Sequence, residues 1–349
     1  MTELDEALSR FHELSPIWGG ELANHGPMAC ETLEELGHSA LIPAMVDRYA
    51  PRVPLMPKGK PLQKESARDS LGHSNLAADW IATFEERLSK EPWHDVLLSA
   101  LGLLCDGLFG AGGHGYLRTA HAVRALKKRD TECRRRELAH GLGYWAATYQ
   151  VLPGEPGKNS RGSFKNALES LRSPSAFDSD QLFTRSVDGF TQLSSFRDAV
   201  AWPSFSSENA IDDSYQMIRI AADCFQNTDS GWLAAAHGIT TASAIRLFGL
   251  DSKDAILMKL TRRAWQVCLC FYALCPKNRI PEKNGNQVKS KLYKSVEEIG
   301  YLAACSLDEH IIKLTEACIR EFNLGGDEIL LEIASRAVTN LETKGLRVC

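Results

Sequence analysis

Gly110-Ala-Gly-Gly-His-Gly-Tyr-Leu-Arg-Thr-Ala-His-Ala-Val-Arg124 joins an apolar run to a helical one and sets His114 at the junction. Positions 110, 112 and 115 spell G-x-G-x-x-G, which in dinucleotide-binding folds opens a helix after a strand and cradles a pyrophosphate. That reading needs a strand before the glycines. The residues there, Val96-Leu-Leu-Ser-Ala-Leu-Gly-Leu-Leu-Cys-Asp-Gly-Leu-Phe109, are rich in Leu and Ala with one β-branched residue, and Pro92 suits a first helical turn. The stretch therefore reads as helix, glycine-loosened turn, helix. His114, Arg118 and His121 then fall at i, i+4 and i+7 on one face.

Outward from this stretch the same period recurs. Apolar spacing predicts helices over 3–14, 24–37, 40–49, 75–88, 92–108, 132–150, 208–226, 232–248, 254–274, 296–305, 308–322 and 327–341. The second should close at Gly37. Residues 163–205 are less regular. Pro, Gly and Lys mark mobile loops near residues 51–70, 151–162 and 276–290. No run of alternating β-branched residues and no repeat of fixed period is present, so the expected fold is all-α rather than a sheet or a solenoid. The expectation is a single large multi-helix domain over residues 1–349.

Bulk properties narrow the function. With 44% hydrophobic and 24% charged residues, the 349-residue chain can bury a substantial core. Its net charge of −4 is spread along the sequence and offers no footprint for nucleic acid. The basic run from Lys127 to Arg136 is interrupted by acids and reads as a solvated helix junction. Acids near Met1 and the lack of a long apolar stretch argue against a signal peptide or a membrane span, so the expected location is cytoplasmic. Ten cysteines, mostly in apolar helical segments and without paired C-x-x-C spacing, read as reduced core residues.

The histidines carry the chemistry. Four of the ten, His25, His114, His140 and His237, are each followed by glycine, although 26 glycines in 349 residues would put fewer than one there by chance. Glycine costs a helix about 1 kcal/mol relative to alanine. Its repeated use suggests close approach to the imidazoles; the competing reading is tight helix crossings. Histidines on separate helices favour a shared centre in a bundle core. In Asp308-Glu-His-Ile-Ile-Lys-Leu-Thr-Glu316, His310 and Lys313 are three apart and share a face, and Lys313 is either a surface cation paired with Glu309 or Glu316 or a buried amine. A di-iron carboxylate alternative rests on Glu91-Pro-Trp-His94 and Glu137-Leu-Ala-His140. Zinc-site spacing, H-E-x-x-H and the G-x-S-x-G nucleophile pattern are all missing.

Taken in order, Asn24-His-Gly-Pro-Met, His114-Gly-Tyr-Leu-Arg, His237-Gly-Ile-Thr-Thr and Asp308-Glu-His-Ile-Ile-Lys resemble the questin oxidase-like family from about Asn24 to about Arg320. The resemblance implies an all-helical oxygenase related to fungal enzymes that open anthraquinone rings, with a central metal and substrate pocket. It implies a mononuclear non-haem Fe(II) held by His25, His114, His237, His310 and a carboxylated Lys313, with one octahedral position open. Where fungal relatives carry further histidines, this chain has Met28 and Arg118, and it is shorter than they are. The expected partners are a small aromatic substrate and O2, with a homodimer left open; the need for NADPH is open too, since no nicotinamide motif is present. Arg118 and His121 are the candidate catalytic residues, Arg118 as a cation for a phenolate or carboxylate and His121, with Glu137, as a group that orients ligands. Trp80, Tyr144, Trp145, Trp202 and Trp232 are candidates for an aromatic lining. A non-catalytic helical scaffold is the remaining alternative.

Overall fold

Short polar side chains start the helices where the periodicity places them. Thr2, Thr131, Ser163, Ser295 and Asp308 each accept backbone N–H groups from the first turn that follows. The computed structural model describes residues 1–19, 22–171, 187, 189, 191–206, 208–226, 232–274 and 295–343. The expected loop near 276–290 lies outside the described residues.

In chain order the α-helices are α1 (Glu3–Phe11), α2 (Gly26–Glu35), α3 (Ile42–Tyr49), α4 (Ala77–Lys90), α5 (Trp93–Leu104), α6 (His114–Lys128), α7 (Glu132–Ala147) and α8 (Phe164–Ser170). They continue with α9 (Ser194–Ala201), α10 (Ala210–Gln226), α11 (Trp232–Ser243), α12 (Ala255–Leu274), α13 (Val296–Ser306), α14 (Glu309–Gly325) and α15 (Glu328–Thr343). The fold is all-α, as the periodicity predicts. Residues 51–70 carry only short 3-10 turns and a single bridge from Leu55 to Leu14, and residues 151–162 carry a single bridge from Gly162 to Pro203. The strands β1 (Ile17–Trp18) and β2 (Leu22–Ala23) pair antiparallel, Ile17 opposite Ala23, and lead the chain into His25. Two-residue strands are too short to show alternation, so the sequence reading placed no strand there. Gly37 and Gly326 follow α2 and α14 in the left-handed region, φ +79° and +72°.

Glycine sets how closely the helices cross. A Cβ at Gly115 would stand 2.4 Å from the Cα of Trp145, and one at Gly141 would stand 2.9 Å from the Cα of Thr119, so α6 and α7 pack backbone to backbone. A Cβ at Gly26 would enter the Phe11 ring at 2.2 Å, and one at Gly238 would meet the Ala221 methyl at 3.2 Å. The His-Gly pairs are therefore corrected to the competing reading: the glycines serve helix contacts, not close approach to an imidazole. Gly115→Ala should lower stability by about 2 kcal/mol, because overpacking against a helix backbone outweighs the gain in helix propensity. The urea midpoint measures it, and a midpoint at or above wild type would contradict the close crossing.

One continuous core includes Trp80, Tyr116, Trp145 and Trp265, all at most 2% exposed. Among the described residues no helix is long and apolar enough to cross a membrane, and eight cysteines are free thiols.

Candidate metal centre

Four separate stretches deliver the four imidazoles. His25 caps α2 directly after β2, its backbone N–H donating to the Tyr49 hydroxyl at 2.9 Å. His114 is the first residue of α6. It follows Ala111, Gly112 and Gly113 at φ 50°, 66° and 86°, a left-handed turn that glycine adopts without steric cost. His237 lies in α11, and His310 and Lys313 share a face of α14.

The rings converge. Nε2 of His114 is 3.0 Å from Nε2 of His25 and 3.3 Å from Nε2 of His237. The His310 ring centre is 4.7 Å from that of His25 and 5.3 Å from that of His237. Their outer nitrogens fix the tautomer: Nδ1 donates to the carbonyls of Ala23 (2.7 Å), Ala111 (2.6 Å) and Leu233 (2.7 Å) for His25, His114 and His237 respectively. A carbonyl only accepts, so each Nδ1 carries the proton and each neutral Nε2 presents a lone pair. Lone pairs aimed at one another at 3.0–3.3 Å repel unless a cation or a proton lies between them.

Protonation is disfavoured. Burial, and then the Lys313 cation, holds His237 down at about 4. His25, His114 and His310 lie well below the usual imidazole range, through burial first and then the charges of Lys313 and of one another. Burial also pulls Lys313 down to about 8, against the opposing charges of Glu309 and Asp308. Lys313 is 5% exposed. It is thus a buried amine rather than a surface cation. The arrangement suits a cation that accepts nitrogen donors, and one nitrogen each from His25, His114 and His237 lie within 4.8 Å of one another, close enough to hold a single ion.

Other predicted residues lie elsewhere. Arg118 does not face the imidazoles as a free cation. Its guanidinium is fully buried and bidentate on Glu137, at 2.7 and 2.9 Å, and Glu137 also meets His12 Nε2 at 3.1 Å. Burial raises the Glu137 carboxyl, but Arg118 and His12 overcome it and hold it at about 2. Turning Arg118 toward a substrate would strand that carboxylate, so its assignment as a substrate-binding residue is corrected to a buried ion pair. His121 gives its Nδ1 to Glu31 at 2.7 Å instead of orienting an imidazole. The ligand-orienting groups are the three backbone carbonyls, which sequence does not reveal.

Nor do the two E-x-x-H pairs share a site. Glu91 is paired with Arg87 on the surface, exposed His94 stacks on Trp93, and buried His140 stacks on His12 with ring centres 4.6 Å apart. Of the proposed aromatic lining, Trp80, Tyr144 and Trp145 belong to the core; the ring stacked on His237, at 5.3 Å, is Phe271 of α12.

A further set was missed. Glu31 of α2 accepts from His121 and from Arg124 Nε and Nη2, and Arg124 Nη1 continues to Glu316 of α14, which also takes Arg320. This buried chain ties together the helices that carry His25, His114 and His310. Its sequence signal was the acid three residues beyond Lys313, which served there only as an alternative partner for that lysine. Comparison with protein families and with curated proteins returned no match for the chain.

Proposed function

We propose that the protein is a mononuclear non-haem Fe(II) oxygenase that cleaves the ring of a phenolic or quinone-like aromatic substrate. One observation carries the metal reading: three imidazoles tethered at Nδ1 turn unprotonated Nε2 atoms toward one point, with a fourth imidazole and a buried amine beside them. Neutral imidazoles with an anionic oxygen suit Fe(II). When bound, Fe(II) supplies the one-electron chemistry through which dioxygen reacts with an electron-rich ring. The substrate class rests on the resemblance to the questin oxidase-like family.

The chain's own residues prepare the site. Backbone carbonyls hold three rings in place, so the donors need no reorganisation to meet a cation. Lys313, whose affinity for a proton is lowered to about 8, is still largely an ammonium group at pH 7 but yields the neutral amine within about one pH unit above that. Its nitrogen lone pair can bond to the carbon of CO2 while one N–H proton leaves to solvent, which yields an anionic carbamate oxygen. Burial of His25 and His237 limits competing water.

Purification without oxygen, followed by metal analysis, tests the reading. Close to one iron per chain is expected, with His237→Ala losing it and wild type consuming O2 in the presence of hydroxyanthraquinones. A wild-type chain that takes up no iron even when Fe(II) is supplied would leave the helical scaffold as the function.

A further inference from the structure

Three of the four imidazoles have a fixed acceptor for the Nδ1 proton, and the fourth does not. His25, His114 and His237 each donate to a backbone carbonyl at 2.6–2.7 Å. The Nδ1 of His310 instead lies 3.9 Å from the Glu309 carboxylate, too long for a hydrogen bond, with the Asp308 carboxylate in the same cluster. Asp308, the other acid at this helix start, is already committed, its Oδ1 accepting the backbone N–H groups of His310 and Ile311. Glu309 is 17% exposed at its side chain and among the described residues carries no hydrogen bond that would hold it elsewhere.

From this asymmetry we infer that Glu309 is a positioning residue for the metal centre: it accepts the His310 Nδ1 proton when a cation takes up Nε2, completing a carboxylate–histidine–metal triad at one ligand of the four. The inference rests on the metal reading above and adds a residue to it. A carboxylate behind an imidazole fixes the tautomer and increases its basicity, whereas a neutral carbonyl does so less. His310 would then be the strongest electron donor of the four, and the one whose orientation depends on a movable side chain. The neighbouring charges favour this arrangement. A cation held by four neutral imidazoles leaves a net positive centre, and Glu309 is an anion on the same turn of helix as His310, close enough to act on Lys313 as well.

The test uses the full chain, with Co(II) as the probe because its visible absorption reports ligand field directly. Wild type should bind one Co(II) per chain. Glu309→Ala should bind it 10- to 100-fold more weakly, the usual cost of losing such a partner, with its absorption bands shifted. Glu309→Gln, whose amide oxygen still accepts but brings no charge, should fall between the two. The melting temperature of each apoprotein should stay close to wild type. Wild-type affinity and spectrum in Glu309→Ala would overturn the inference while leaving the metal reading intact. So would a fall in apoprotein stability that accounts for all of the lost affinity, since Glu309 would then serve only the start of α14. Failure of the wild-type chain to bind Co(II) or Fe(II) would instead remove the metal reading itself, so the two failures are distinct.

Discussion

Lys313→Met is expected to abolish tight iron binding and, in the metal-free protein, to raise stability by about 3 kcal/mol at pH 7. The two effects have one origin. Lys313 is 5% exposed, and burial lowers its affinity for a proton to about 8 from the usual 10.5. A base depressed in the fold binds its proton more weakly there than in the unfolded chain, so below about pH 8 the folded protein bears the full cost of a buried ammonium group. Between about 8 and 10.5 the unfolded chain holds more protons than the fold, stability rises with pH, and the cost disappears above that range. Methionine fills a similar volume without the charge. Urea unfolding at pH 7 and again near pH 10.5 measures it: the gap between variant and wild type should be wide at the first and nearly closed at the second. An equal gap at both values, or a variant less stable than wild type at pH 7, would mean that burial does not strain this lysine. If a carbamate oxygen is the ligand, a small added carboxylate should restore part of the iron to the variant. Iron retained unaided would rule Lys313 out of the coordination sphere.

The burial of Lys313 leaves no mark in the local sequence, where spacing allows a surface cation as readily as a buried amine; other parts of the molecule could be read in advance. Helices were legible because burial imposes a period on apolar residues. α12 and α14 fall almost where the spacing puts them. The meeting of His25, His114, His237 and His310 was legible only through short motifs in a fixed order, since nothing in helical spacing brings residue 25 beside residue 310. Arg118 shows the opposite case. It stands four residues after His114, roughly 40° further round the helix, and spacing alone cannot tell which neighbour fills that angle. Here α7 fills it, with Glu137. His121 was diverted for the same reason, by Glu31 on α2. Long-range ion pairs of this kind leave no local pattern. The glycines after the histidines were misread because close packing on Trp145 and Thr119 is a tertiary fact, and the backbone carbonyls that orient the rings exist at every residue and so mark none.

His140→Phe should stabilise the protein against acid, by about 2 kcal/mol at pH 5, and flatten the upper part of the pH–stability curve. His140 is fully buried, stacks on His12, and has neither ring nitrogen hydrogen-bonded among the described residues. Burial, and then the charges of His12 and Arg118, holds it well below the ordinary imidazole value of 6.5; His12 is lowered too, by burial against the pull of Glu137. Both therefore bind a proton less readily in the fold than in the unfolded chain. Below about pH 6.5 the unfolded chain takes up protons that the fold refuses, so stability falls as pH drops. Carboxylates act lower down. Glu137 and Glu316, held at about 2 by their arginine partners, contribute stability above 4.5 that is lost as pH falls through 2. The two losses have the same sign and follow one another, so acid unfolding of wild type should begin near pH 6.5 and steepen below 4.5. Phenylalanine keeps the stacking partner for His12 and removes two stranded polar atoms, so it should erase part of the first loss and leave the second. Urea midpoints from pH 7 to pH 3 separate them. A variant whose curve runs parallel to wild type from 6.5 to 4.5 would show that His140 is protonated in the fold, with the Glu85 carboxylate of α4, 3.8 Å from its Nε2, as counter-ion.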